Sequence, residues 1–427
     1  MATISVFEHQ ILREGELGFT ESHRQTLERF IGENDETTFN YYTLVHKGIK
    51  FRQYVGVLCL NGVTIEILPK ADRGCENKNF WRDKLMFMLS KVYKLDVQSP
   101  STVSQKLRTN SPILDIFIKK LLDEVDALLH QGLVKCYRRD EGNQKSLKGK
   151  LLVNKQIQIN YVRQERFYVQ YTTYDYEHIM NRILCQALKL VIQTSHNAYL
   201  RDRANSILLR FPELRDIEVT SETFDTLSFN RKTEDYRNAL KLAKLLLLHY
   251  APKQIGHGDN ILALMFDMNK LWEEFVYCTL RSKLPDYHVS SQVVRRYWRL
   301  NASPTFKTIR PDIVIYNNQN EVVGIIDTKW KRPDKTPSDG DLHQMYVYSK
   351  MFDTNKVALL YPSVDEQTTT VRANFLDSAS SCDMLFLGND QKNDKWCANL
   401  CDMIKGWLGG KVDSSGLLDA HTDTEMG

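Results

Sequence analysis

Between residues 309 and 330 the sequence leaves little choice but a β-hairpin. Ile313-Val314-Ile315-Tyr316 and Val322-Val323-Gly324-Ile325-Ile326 are short runs rich in β-branched residues, too short for helices, and Asn317-Asn318-Gln319-Asn320 between them is a polar turn. Acids mark its ends. Asp312, behind Pro311, opens the first strand. Asp327 and Lys329 close the second, two residues apart and therefore on one face.

Two carboxylates and an ammonium converging on one sheet edge form a hard, oxygen-rich site for Mg²⁺ (or Mn²⁺) with a lysine beside it. Such a site suits metal-assisted hydrolysis of a phosphodiester. Asp312 and Asp327 are the expected ligands, with the backbone carbonyl of Thr328 as a third donor. Lys329 is expected to position or help deprotonate the attacking water and to stabilise developing charge. Upstream, a helix over 264–281 carries Glu273 and Glu274. Adjacent helical residues point about 100° apart, so only one faces the site, and Glu273 is preferred. Downstream, a helix over 340–352 sets Gln344 and Tyr348 one turn apart, facing the same cleft. Taken alone, a Pro-Asp usually just begins a strand, and an Asp-x-Lys triplet arises by chance. Their combination with a hydrophobic strand ending in Asp-Thr-Lys and with the downstream Gln344 and Tyr348 is what points to catalysis, whereas Glu273 competes with the reading of an ordinary solvated helix acid.

A chain of 427 residues is too long for one ordinary domain. With 42% hydrophobic and 10% aromatic residues it builds packed cores. Its net charge of +4 permits a nucleic-acid partner only through a local surface. Eight cysteines include no CxxC pair, which argues against zinc and for thiols in a reducing compartment. The N-terminus has no apolar core of a signal peptide, and no apolar run reaches the roughly 18 residues of a membrane span. A cytoplasmic protein with no membrane association is expected.

The periodicities give an α/β (α+β) multidomain chain. Residues 1–70 read as β-rich, with a hairpin turning at Asn61-Gly62. Helical periods follow at 79–93 and 113–132, with a polar linker over 97–111 between them. At 132–151 two apolar stretches bracket a polar segment, as in a protruding hairpin with Arg138 and Arg139 in its basic tip. Helices near 177–195 and 235–249 end before a boundary loop at Gly256-His257-Gly258. These elements divide the chain into 1–258, a module over 259–410 with strands near 288–300, 311–316, 321–328 and 356–361, and a disordered tail over 411–427. Arg295-Arg296-Tyr297-Trp298-Arg299 and Trp330-Lys331-Arg332 offer basic and aromatic groups for DNA phosphates and bases.

The PD…DxK core with an upstream helical Glu and a downstream QxxxY resembles the PD-(D/E)xK nuclease superfamily. Val55-Gly56-Val57, Ile65-Glu66-Ile67-Leu68-Pro69-Lys70, Leu147-Lys148-Gly149-Lys150-Leu151, the Tyr-rich 171–176 and His178-Ile179-Met180-Asn181-Arg182-Ile183-Leu184 narrow the resemblance to the McrC family, over most of 1–405. Here Asp-Thr-Lys stands where many relatives have Asp-Ala-Lys. The resemblance implies a restriction-endonuclease-like mixed sheet flanked by helices over 259–410, with 1–258 docking a partner. It implies the nuclease subunit of a modification-dependent restriction system, cutting modified double-stranded DNA. A McrB-like AAA+ GTPase hexamer would be the partner, its channel receiving an N-terminal finger, for which 132–151 is the candidate. Arg138 and Arg139 would then stimulate NTP hydrolysis. No GxxxxGK[ST] run is present, so the NTPase is not this chain. The alternatives are a stand-alone or repair nuclease, and a non-catalytic adaptor that activates an AAA+ ring.

Overall fold

A computed structural model describes residues 2–33, 41–60, 63–70, 77–94, 112–195, 197–255, 259–301, 305–331, 333, 336–363, 365–376, 379–390 and 392–409. The Asn61-Gly62 turn, the 97–111 linker, the 256–258 loop, Arg332 and the 411–427 tail lie outside them. The protein is a mixed α+β chain with several sheets and eleven helices among the described residues. No described helix is long and apolar enough to cross a membrane.

Compactness divides the chain into two interleaved units. One holds 57–64 and 100–264; the other holds 2–56, 65–99 and 265–427. The boundary drawn at 258 follows the motifs, whereas packing groups residues 2–56 and 65–99 with the acid-bearing hairpin.

In the first unit, helices Pro112–Gln131, Ile179–Thr194, Ala198–Arg210 and Tyr236–His249 pack their apolar faces together. A buried polar node ties them to the strands. Asn181 Nδ2 donates to the Val134 carbonyl (2.8 Å), and the Tyr236 hydroxyl donates to Asn181 Oδ1 (2.8 Å).

The expected hairpin at 132–151 is built differently. Cys136–Gln144 is one strand, paired antiparallel over its whole length with Phe167–Asp175, from Cys136↔Asp175 to Gln144↔Phe167. Lys150–Leu151 adds only a short third strand, beside Val169 and Gln170. The polar 138–144 segment is therefore a strand, not a loop tip: alternation of half-buried and exposed positions suffices when a ribbon is solvated on one face. Arg138 lies in its ladder, paired with Asp140 (3.2 Å) and Asp175 (3.0 Å). Arg139 points to the other, exposed face.

The second unit is organised by a six-stranded mixed sheet, in the order His288–Ser291, Ile313–Tyr316, Val322–Thr328, Lys356–Pro362, Ser381–Leu387, Thr369–Val371. The hairpin forms as its sequence dictates, with Ile313 opposite Ile326 and Ile315 opposite Gly324. Val322–Thr328 then pairs in parallel with Lys356–Pro362, the two joined through helix Asp339–Phe352. Such a parallel centre is covered on both faces, which is why these strands are almost wholly buried. Val314, Ile325, Val357 and Leu359 pack on one face with Met345, Tyr348 and Phe352 of that helix.

On the opposite face Gly324 lies under helix Asn393–Gly409. A Cβ there would meet Trp407 ring carbons at 2.8 and 2.9 Å and Leu408 Cδ2 at 3.0 Å. Gly324→Ala is therefore expected to destabilise the chain by roughly 1–3 kcal/mol through overpacking, measured as a lowered denaturation midpoint. An unchanged midpoint would contradict this packing.

Helix Met268–Lys283 starts four residues later than its periodicity suggested. Residues 264–267 belong to strand Asp259–Asp267, and Asp267 caps the helix by accepting from the Asn269 and Lys270 amides. An apolar run such as Leu264-Met265-Phe266 fits either period; the cap decides. The helix buries Leu271, Trp272, Phe275 and Val276. Trp272 meets Trp330 (5.6 Å between ring centroids) and Trp396 (5.8 Å), and Trp330 also meets Trp81 of helix Lys78–Tyr93 (6.2 Å). This aromatic cluster is the core behind the strand end that carries the acids.

Glu8 is buried at the edge of the same cluster, and burial pushes its carboxyl up to about 7 from an ordinary 4.5, with Asp267 adding to the rise and Lys331 opposing it. The folded chain keeps this proton after the unfolded chain has lost it. Stability therefore falls as pH rises from about 4.5 and levels off above about 7. Glu8→Gln removes that decline. Relative to the native chain it should gain roughly 2–3 kcal/mol between pH 5 and pH 8 in denaturant titrations. Parallel stability curves would refute the buried acid.

Candidate active site

The last hairpin pair is Ile313↔Ile326, so Asp312 and Asp327 are the next residues on the two chains beyond it. Here the backbone rungs give way to side chains. Asp312 Oδ2 accepts from both the Thr328 amide (2.8 Å) and the Thr328 hydroxyl (2.9 Å). The Thr in Asp-Thr-Lys thus does more than preserve its neighbours, since its hydroxyl clamps the first acid. Asp327 is buried, 2% exposed. Its Oδ1 accepts from Gln344 Nε2 (3.3 Å), and Lys329 Nζ stands 2.8 Å from its Oδ2.

Gln344 also donates to the Tyr348 hydroxyl (2.5 Å), which donates to the Arg310 carbonyl (3.2 Å). One face of helix Asp339–Phe352 therefore connects the end of one strand to the chain entering the other. Glu273 reaches the site from helix Met268–Lys283, and the charges of Asp312 and Asp327 both act on it. Asp312, Asp327, Lys329, Glu273, Gln344 and Tyr348 are thereby brought to one centre. Glu274 is exposed instead.

Two participants escaped the sequence reading. Asp341 Oδ1 forms a second ion pair with Lys329 Nζ, also at 2.8 Å. It stands three residues before Gln344 and seven before Tyr348, a helical spacing that would have revealed it. An acid in the first turn of a helix is otherwise read as a complement to the helix dipole. Gln292 donates through Nε2 to Glu273 Oε1, and its amide donates to the Asp312 carbonyl (3.0 Å). It has φ 55°, a left-handed conformation uncommon outside glycine and asparagine. Sequence does not report such a backbone.

The electrostatics are those of an under-neutralised acid cluster. Burial, then the Asp312 charge, raises Asp327 to about 6 despite its lysine. Burial, again followed by Asp312, raises Glu273 to about 7. Burial also raises Asp312, against its bonds to Thr328 and the charges of Lys329 and Arg310. Burial works against the Lys329 charge, yet Asp327 and Asp341 outweigh it and hold the ammonium above the ordinary lysine range.

The donor set suits a hard divalent cation. Asp312 has one oxygen outside the Thr328 clamp, Asp327 is buried, and the neighbouring Thr328 carbonyl adds a neutral donor. Among the described residues no three His, Cys, Asp or Glu side chains converge as a ready-made metal cluster. The groups that could hold such an ion are the two carboxylates, with the Thr328 main-chain oxygen as the expected third donor.

The basic segments are partly near this centre. Lys331 lines the same cavity as Lys329. Arg295–Arg299 forms an exposed ribbon with Phe306–Ile309, where Arg296 and Arg299 stack on Phe306 (4.2 and 5.5 Å) and Arg295 on Phe352 (4.1 Å). Tyr297 and Trp298 are each 47% exposed.

Comparison with known proteins bears on the whole chain. Among curated proteins nothing matches. Among solved structures, the chain is similar to one from the refined half-complex of the tetradecameric assembly of Thermococcus gammatolerans McrB AAA+ hexamers with bound McrC. The identity is 20%, covering 95% of this chain and 99% of that one, at a TM-score of 0.63. A chain of the cryo-EM structure of the Thermococcus gammatolerans McrBC complex matches at 21% identity, over 67% of this chain and 89% of that one, with a TM-score of 0.45. The first of these likenesses is one of fold. The model of the family described as "McrBC 5-methylcytosine restriction system component" matches residues 49–362, well over half of the sequence, and the chain belongs to that family.

Proposed function

We propose that this chain is the DNA-cutting subunit of a McrBC-type restriction system, a Mg²⁺-dependent (or Mn²⁺-dependent) endonuclease of PD-(D/E)xK type. The observation that carries the reading is the convergence of Asp312, Asp327, Lys329 and Gln344 at one buried strand end. An adaptor that only activates a ring has no use for that arrangement.

In this mechanism Asp312, Asp327 and the Thr328 carbonyl would hold the metal ion, with Thr328 and Gln344 fixing the two carboxylates. When bound, the ion would supply Lewis-acid chemistry, favouring loss of a proton from the attacking water and of charge from the phosphate. Glu273, poised near 7, takes the water proton. Lys329, held charged by Asp327 and Asp341, orients the scissile phosphate and stabilises its added charge. Gln344 and Tyr348 keep helix, strand and loop in register. Arg295, Arg296, Arg299, Lys331 and Arg332 supply phosphate contacts, and Tyr297 and Trp298 offer stacking faces.

The solved neighbour is a chain from an assembly of McrB AAA+ hexamers with bound McrC. By that likeness the partner proposed for this chain is a McrB-like AAA+ hexamer, taken to be a GTPase from the McrC resemblance, and the family description points to double-stranded DNA carrying 5-methylcytosine as the substrate. The ribbon of Cys136–Gln144 and Phe167–Asp175 takes the finger role proposed for 132–151. Of the two arginines, the exposed Arg139 is the better placed to reach a partner. Arg139→Ala is expected to lower partner GTPase stimulation about tenfold, while Arg138→Ala acts mainly by loosening the ribbon. Full stimulation by Arg139→Ala would remove that role.

The function is tested by mixing the chain with a McrB-like partner, GTP, Mg²⁺ and 5-methylcytosine DNA. Cutting that needs all components supports the proposal. Partner GTPase stimulation without cutting, at any Mg²⁺ or Mn²⁺ concentration, would favour the adaptor.

A further inference from the structure

Lys329 sits where the sheet ends. Its amide donates the last rung, to the Leu360 carbonyl (2.9 Å), and the strand stops at Thr328. The next restraint on the chain is not backbone pairing but the side chain of Trp330. That indole is 2% exposed and packed edge-on against Trp272 and Trp81. Its Nε1–H donates to Glu8 Oε1 at 2.6 Å, across 322 residues of sequence. Glu8 is itself held from two sides: Oε1 also accepts from the Lys70 amide (2.8 Å), and its own amide donates to the Leu68 carbonyl (2.9 Å).

Glu8, Trp330, Lys329 and Asp341 also line one cavity of about 570 Å³. Lys329 therefore has room beside it, and a long ammonium side chain next to open space keeps one position only if its backbone is fixed. Trp330 supplies that fixity. In this cluster the buried indole N–H groups of Trp272 and Trp396 have no acceptor among the described residues, whereas that of Trp330 is tied to Glu8, which singles Trp330 out as an anchored ring. Trp272, in the same cluster, directly precedes Glu273, so the support reaches both sides of the site.

We propose that Glu8 is a positioning residue for Lys329: by accepting from Trp330 it fixes the chain as it leaves strand Val322–Thr328, so that the ammonium meets both Asp327 and Asp341. This rests on the nuclease reading given above. It makes the N-terminal residues part of the nuclease centre rather than only a docking region.

The test is steady-state DNA cleavage by the full chain with a McrB-like partner, GTP, Mg²⁺ and 5-methylcytosine plasmid. Glu8→Leu removes the acceptor at similar volume. It should lower kcat about 10- to 100-fold with KM for DNA and partner GTPase stimulation unchanged. Glu8→Gln keeps an oxygen for the indole and should stay within about threefold of the native rate. Trp330→Phe should match Glu8→Leu, and the double variant should be no worse than the poorer single one. In a Lys329→Ala background, Glu8→Leu should cost nothing further, whereas a merely structural role would still reduce the rate.

Native cleavage by Glu8→Leu, equal damage from Glu8→Gln, or full additivity with Lys329→Ala would each overturn the proposal. Should Glu8→Leu fail to fold, Glu8→Gln and Trp330→Phe decide by the same comparisons. Failure of the nuclease reading looks different: Asp327→Ala would then cut as well as the native chain.

Discussion

Asp327→Ala is expected to abolish DNA cutting, by about 10³-fold or more, while leaving partner binding and GTPase stimulation near native. The size of the effect follows from what Asp327 touches. It is 2% exposed and joined to Gln344 and Lys329, and the Asp312 charge acts on it. Alanine removes a proposed metal ligand together with the partner of both neighbours. In this variant Lys329 keeps its ion pair with Asp341, so no ammonium is left unpaired, and the carboxylate that is lost is one that burial and the Asp312 charge already disfavour. Loss of cutting and GTPase stimulation together would show a structural site instead. Measuring both activities on one preparation separates the outcomes.

Lys329→Ala is expected to lower cutting roughly 10²- to 10³-fold, an effect of the size produced by removing one preorganised charge donor at a reacting centre. Its ammonium sits between Asp327 and Asp341, 2.8 Å from each. Lys329→Arg should recover only part of the loss, because a planar guanidinium cannot occupy the same point between two carboxylates. If Lys329 served as the base instead, Lys329→Ala would flatten the rise of rate with pH, while Lys329→Arg would cut no better than alanine. With Glu273 as base, the rise near pH 7 should survive in Lys329→Arg and disappear in Glu273→Gln.

How much of this was legible in the sequence depends on the range of the interaction. The 313–328 hairpin was, since two β-branched runs and a polar turn are local signals and tertiary structure had nothing to override. Gln344 and Tyr348 were, through helical spacing. The polar segment after Tyr137 has the composition of a hairpin tip, yet it continues the strand Cys136–Gln144: its partner, Phe167–Asp175, is remote, and only pairing makes it a strand. Asp341 carried a readable i, i+3 spacing to Gln344 that an ordinary helix-start acid disguises. Gln292 depends on a positive φ, and Glu8 on a contact spanning 322 residues. Neither leaves a trace in composition, period or spacing. The strands Phe306–Ile309, Thr369–Val371 and Ser381–Leu387 were missed for a related reason, as they complete sheets begun elsewhere.

The central claim is that the paired hairpin acids hold a divalent cation, and Mn²⁺ offers the most direct measurement. In crystals of the chain grown with Mn²⁺, anomalous scattering should show a peak about 2.2 Å from carboxylate oxygens of both Asp312 and Asp327 and from the Thr328 carbonyl. The peak should vanish in Asp327→Ala. A Mn²⁺ peak bound elsewhere, or none at this strand end in a preparation that cuts DNA, would contradict the account.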